Sequence, residues 1–90
     1  MLYCAFLRII NPDLAKEVRP AHLAYVAEQY RLGRVRLAGP FADGSGGMVV
    51  YQNVSRDEAE RLAREDPAVS SGARDLTLYG WNLLDLDNLD

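Results

Sequence analysis

"MVVYQNVSRDEAERLAREDP", residues 48–67, changes character midway, and that change decides the fold. Met48-Val49-Val50-Tyr51 is a run of β-formers and reads as a strand. Ser55 and Glu58 then spell S-x-x-E, a capping box in which each side chain satisfies the other residue's backbone N–H, so a helix opens there. Ala59, Leu62 and Ala63 follow at helical spacing as its buried stripe. Pro67 closes the helix, because the residue before a proline is pushed out of the α region.

Working back, "FADGSGG" (41–47) is a loose hairpin connection, and "RVRLAGP" (34–40) is a strand with Val35 and Leu37 on one face, stopped by Gly39-Pro40. Before it, Leu23, Val26, Ala27 and Tyr30 are spaced i, i+3, i+4, i+7. They predict an amphipathic helix with Pro20 in its first turn and Gly33 at its C-terminal cap. "LYCAFLRII" (2–10) is apolar on both alternating faces, Leu2, Cys4 and Phe6 on one and Tyr3, Ala5 and Leu7 on the other. That predicts a strand covered on both sides, ended by "NPD".

Working forward, "SSG" turns the chain and "LTLYGWNL" (76–83) is a last strand. The order is β-α-β-β-α-β, which predicts an α+β, ferredoxin-like fold: a four-stranded antiparallel sheet with two helices on one face. Residues 1–84 form a single domain in this reading, and 85–90 an acidic, solvated tail. The first and last strands are apolar on their other face too, so a second copy's sheet is expected to pack there as a homodimer.

Composition narrows the function. Ninety residues bury only about 60 to 65% of the unfolded surface, yet 49% of this chain is hydrophobic, a mismatch that a partner subunit is one way to resolve. The net charge of −3 and the absence of a basic block argue against nucleic acid. "GMVVYQNV" also lacks the basic and paired aromatic residues of an RNA-recognition strand. Cys4 is the sole cysteine, so neither an internal disulfide nor a thiolate zinc cluster can form. No run approaches about 18 apolar residues and the N-terminus has no basic leader region, so no membrane partner is expected and the protein is read as soluble and cytoplasmic. The glycine-rich stretch lacks the Gly-Lys-Ser/Thr ending of a phosphate loop, and no metal-ligand spacing occurs, so neither a metal nor another cofactor is expected.

His22 is the only histidine. With the helix starting at Pro20 it falls in the first turn, just outside the apolar stripe, where helix dipole and partial burial favour the neutral ring that a general base needs. Asp66 lies seven residues after Ala59, so the helical period carries it onto the apolar face, where a carboxylate wants a donor. A boundary histidine and a turn-forming aspartate before Pro67 are the competing reading. Arg19 is a candidate for a substrate carboxylate, and Gly39-Pro40 for close backbone approach to a ligand.

The segments "RPAHLAYV", "LAGP", "VSRDEAERLAREDPAVSSG" and "LYGWNL", taken in this order and spacing, resemble the YCII-related (YciI-like) family. The resemblance implies a dimeric α+β barrel related to muconolactone isomerases, with a pocket between helices and sheet. It also implies a catalytic histidine and the aspartate of an Asp-Pro pair, which correspond to His22 and Asp66. One relative is a dehydrochlorinase acting on a chlorinated muconolactone. The expected function is therefore cofactor-free proton transfer on a small oxygenated acid or lactone, as an isomerase, lyase or dehydrohalogenase. The alternative is a non-catalytic small-molecule-binding or regulatory module using the same pocket.

Overall fold

A computed structural model describes residues 1–89; Asp90, the end of the expected tail, lies outside the described residues. The strands are β1 (Leu2–Ile9), β2 (Val35–Pro40), β3 (Gly46–Tyr51) and β4 (Arg74–Trp81), in the sheet order β2-β3-β1-β4 with every neighbour antiparallel. The central β1 aligns Ala5 with Val49 and Leu78, and Cys4 with Val50 and Tyr79. Because successive side chains point to opposite faces, Ala5, Leu7, Val49 and Tyr51 enter the main core on one side. Leu2, Cys4 and Val50 form a second, smaller cluster on the other.

Val35 and Leu37 do not share a face as the alternation suggested. The register with β3 slips between them, so that Val35 pairs with Tyr51 but Leu37 with Val50. One extra residue in an edge strand flips everything after it; Val35 is buried and Leu37 exposed.

The first helix, α1 (Pro12–Arg31), begins eight residues before Pro20. Asn11 is its N-cap, its side chain accepting from the Leu14 N–H at 3.2 Å, and Pro12 takes the first turn, where no N–H is missed. Pro20 therefore sits inside the helix. A mid-helix proline costs about 3 kcal/mol relative to alanine and orphans a carbonyl one turn earlier, here that of Lys16. Both Lys16 and Pro20 face solvent, so water can take the free carbonyl. The inward positions Ala15, Val18, His22, Val26 and Gln29 run through the proline at helical spacing, and this tertiary face holds the helix together. Gly33, at φ +79°, follows the last turn in the left-handed conformation expected after a helix end.

The second helix, α2 (Arg56–Glu65), starts at the Ser55–Glu58 capping box and buries Ala59, Leu62 and Ala63, as the sequence predicts. Pro67 ends it and also begins a short α3 (Pro67–Ser70), so the single second helix of the sequence reading is a helix, a break at Asp66 and one more turn. The Gly46-Gly47 half of the expected loop belongs to β3. At Gly47 a Cβ would stand 2.7 Å from the Gly39 carbonyl, so only glycine lets β2 approach this closely. Among the described residues no helix is long and apolar enough to cross a membrane.

Candidate functional site

Between α1 and the β2-β3-β1 half of the sheet lies a cleft of about 690 Å³, within the range of small-molecule sites. Its floor is Leu7, Val35 and Val49, its helical wall Leu23, Val26 and Tyr30, and its rim the β2 end at Gly39 and Pro40. Arg19 and His22 line the same cleft, so four of the five residues singled out in the sequence share one cavity. Asp66 stands behind His22, with none of its surface exposed.

His22 Nδ1 lies 2.8 Å from Asp66 Oδ1 and 2.9 Å from Oδ2. Asp66 Oδ1 also accepts the Ala68 N–H at 2.9 Å. A carboxylate has only acceptors to offer, so Nδ1–H donates and the neutral ring takes the Nδ1–H tautomer. Nε2 has no partner among the described residues, on a side chain that lines the cleft. The pair joins residues 44 positions apart.

The route to this geometry differs from the one read in the sequence. His22 sits mid-way along α1 rather than in a first turn, so the helix dipole has no part in its state. Its burial comes from the inward face of α1. Asp66 is the break between α2 and α3: its φ of −58° and ψ of 128° end one helix, and its side chain caps the next. Tyr25, one turn after His22, donates to the Leu62 carbonyl at 2.7 Å and ties α1 to α2 beside the pair. Burial first, then the carboxylates of Glu65 and Asp66, push its phenol up to about 12. Tyr51, on the β3 floor, is pushed up further, chiefly by burial and next by Asp66.

Arg74 was missed. It is 7% exposed, lines the cleft, and its Nε is buried without a hydrogen-bond partner among the described residues. Burial draws its guanidinium down from the usual arginine range; the Arg19 charge adds to this and Asp66 opposes it. Starting the last strand at Leu76 left Arg74 in a turn. The signal was present in the alternation, since Arg74, Leu76 and Leu78 share the helix-covered face.

A split β-α-β-β-α-β sheet with a histidine–carboxylate pair in a cleft under its first helix defines a small α+β protein with a ligand-sized site. Residues 1–82 match the model of the YCII-related domain, and the chain belongs to that family. The uncharacterized protein YjpA of Bacillus subtilis (strain 168) is 40% identical over 50 residues, 56% of this chain and 59% of that protein, so the match spans less than two thirds of the relative. Among solved structures, the 5-chloro-2-hydroxyhydroquinone dehydrochlorinase TftG from Burkholderia phenoliruptrix AC1100, in complex with 2,5-dihydroxybenzoquinone, superposes with a TM-score of 0.76. It is 20% identical, and the match covers 91% of this chain and 94% of that one. At that identity the likeness establishes a shared fold.

Proposed function

We propose that this protein is a cofactor-free enzyme of general acid–base proton transfer, an isomerase, lyase or dehydrohalogenase acting on a small oxygenated acid or lactone. The observation that carries this reading is the His22 ring, held through Nδ1 by the buried Asp66 while Nε2 is left for the cleft. Nε2 accepts a proton from a carbon next to a carbonyl, and Asp66 stabilises the imidazolium that results. Arg19 meets an acidic group of the substrate, and the Gly39-Pro40 rim bounds it. The dehydrochlorinase activity of the fold neighbour, and its complex with a small oxygenated ring, are consistent with this chemistry.

The active form is a homodimer in this reading, built on the sheet face away from the helices. Leu2, Cys4 and Val50 form a small buried cluster there, and Phe6, Tyr79 and Trp81 around it are 38%, 56% and 47% exposed.

The test is exchange of substrate C–H protons with D₂O, followed by NMR across lactones, keto acids and hydroxyquinones. General acid–base catalysis contributes about 10² to 10⁴-fold, so His22→Ala is expected to lose that much. Asp66→Asn sets an NH₂ against Nδ1 and is expected to shift the ¹⁵N pattern of the ring away from the Nδ1–H tautomer, with a comparable loss. Exchange in His22→Ala at the wild-type rate sinks the proposal. Ligands that bind wild type and His22→Ala alike, unchanged in both, identify the protein as a binding module instead.

A further inference from the structure

The charge of the cleft is opposite to that of the chain. The protein carries a net −3, yet Arg19, Arg31, Arg36 and Arg74 line this one cavity and no Asp or Glu among the described residues does. Arg31 is paired with Glu28. Arg19 and Arg74 form no ion pair within 4.0 Å among the described residues. The nearby Asp66 is engaged by His22 and by the Ala68 N–H.

Arg74 is the anomaly. Its Nε–H is buried without a hydrogen-bond partner among the described residues, and native proteins retain few such groups. Nothing in its position lets it escape. The preceding Ala73 carbonyl accepts both the Ile10 and Asn11 N–H groups, at 3.0 and 3.1 Å, which fixes the start of β4 against the α1 N-cap. The antiparallel register with Ile9 then holds the side chain on the helix-covered face, away from the open face where a second copy would pack.

We propose that Arg74, with Arg19 at the mouth, is the anion-binding element of the cleft, and that the ligand is a planar organic oxyanion, a carboxylate or an ionised enol, gripped by the Arg74 guanidinium beside His22. This names the substrate class of the proton-transfer reading and relies on that reading only for what happens after binding. Guanidinium matches such an anion in shape, with two parallel N–H donors. A low-dielectric wall around unpaired positive charge also concentrates anions from solution.

Binding separates the two proposals. The full chain is titrated calorimetrically with benzoate, with its neutral isostere benzamide, and with 2,5-dihydroxybenzoquinone, whose anion is a vinylogous carboxylate. Wild type is expected to prefer at least one of the two anions to benzamide by about tenfold or more, the scale of a charge-assisted hydrogen bond. Arg74→Met is expected to lose that preference and leave benzamide binding unchanged; Arg74→Lys keeps the charge but not the fork, and retains part of it. Without ligand, Arg74→Met is expected to melt no lower than wild type, because an apolar side chain of similar length removes an unpaired charge. Full anion affinity in Arg74→Met overturns the proposal. So does wild type without anion preference across the panel, or ligand-free melting lowered in both variants, which assigns Arg74 to folding. His22→Ala is expected to keep its anion affinity within about threefold, so a failure of the proton-transfer reading leaves this result standing.

Discussion

β1 presents two faces built from alternate residues of the same eight, and they are put to different uses. The helix-covered face packs Ala5 and Leu7 against α2 and reaches a cleft with four buried polar or charged residues nearby or across it: His22, Gln29, Asp66 and Arg74. The opposite face is apolar at Leu2, Cys4, Val50, Phe6, Tyr79 and Trp81 and carries one exposed ion pair, Arg8–Asp75, towards its end. One side holds charge out of water, which only close packing and fixed partners permit. The other holds no charge in its cluster and is left uncovered by the protomer's own helices. Buried polar groups beside a cleft suit a small ligand, and exposed apolar side chains suit a protein partner; the first is the reading proposed for the cleft and the second the reading proposed for the open face.

Alkali attacks the covered face first and with the largest effect. Tyr25 and Tyr51 are both held above the ordinary phenol value of 10. Below pH 10 both states are protonated and this contribution to stability is fully present. Above it the unfolded chain loses protons that the folded one keeps, so stability falls as pH rises through about 12, the value for Tyr25. Tyrosinate absorbance at 295 nm should therefore rise in two phases, the second coinciding with loss of far-ultraviolet circular dichroism; a single phase without unfolding would mean that the covered face is open.

Leu62→Ala removes a side chain 2% exposed beneath α2 and is expected to cost about 3 kcal/mol in urea unfolding. Tyr79→Glu charges the open face, where the residue is 56% exposed in the protomer. If that face joins two copies, light scattering should show the dimer weakened by about 2 kcal/mol, roughly 30-fold in dissociation constant, with the protomer fold intact. An unaffected dimer would place the interface elsewhere. The smallest effect belongs to Leu37→Ala, which the bulge has moved to solvent at 61% exposure. Its cost to protomer stability should stay within about 0.5 kcal/mol, whereas a cost near that of Leu62→Ala would put Leu37 back in the core.

The strand order, the capping box at Ser55 and the buried stripe of α2 were legible because each rests on local chemistry: a period, a reciprocal cap, a proline. His22 and Asp66 were singled out one by one and matched together only through the family resemblance; the structure brings them into contact, but the local reason read for His22 was wrong. Placing the helix start at Pro20 gave His22 a dipole it does not feel, because Asn11-Pro12 is the better cap and tertiary packing carries α1 through the second proline. The Leu37 face was lost to a single inserted residue, which alternation cannot see. Arg74 was lost to a boundary drawn two residues late. Long-range facts, the cleft and its charge, exist only once β2, β4 and α1 are brought together.

Asp66 ends α2, begins α3 and holds His22, all with one side chain and one backbone twist. Selection for folding alone would therefore preserve this aspartate even in a lineage that had abandoned any reaction. A comparison of relatives would be more informative at Arg74, whose buried Nε has no hydrogen-bond partner among the described residues.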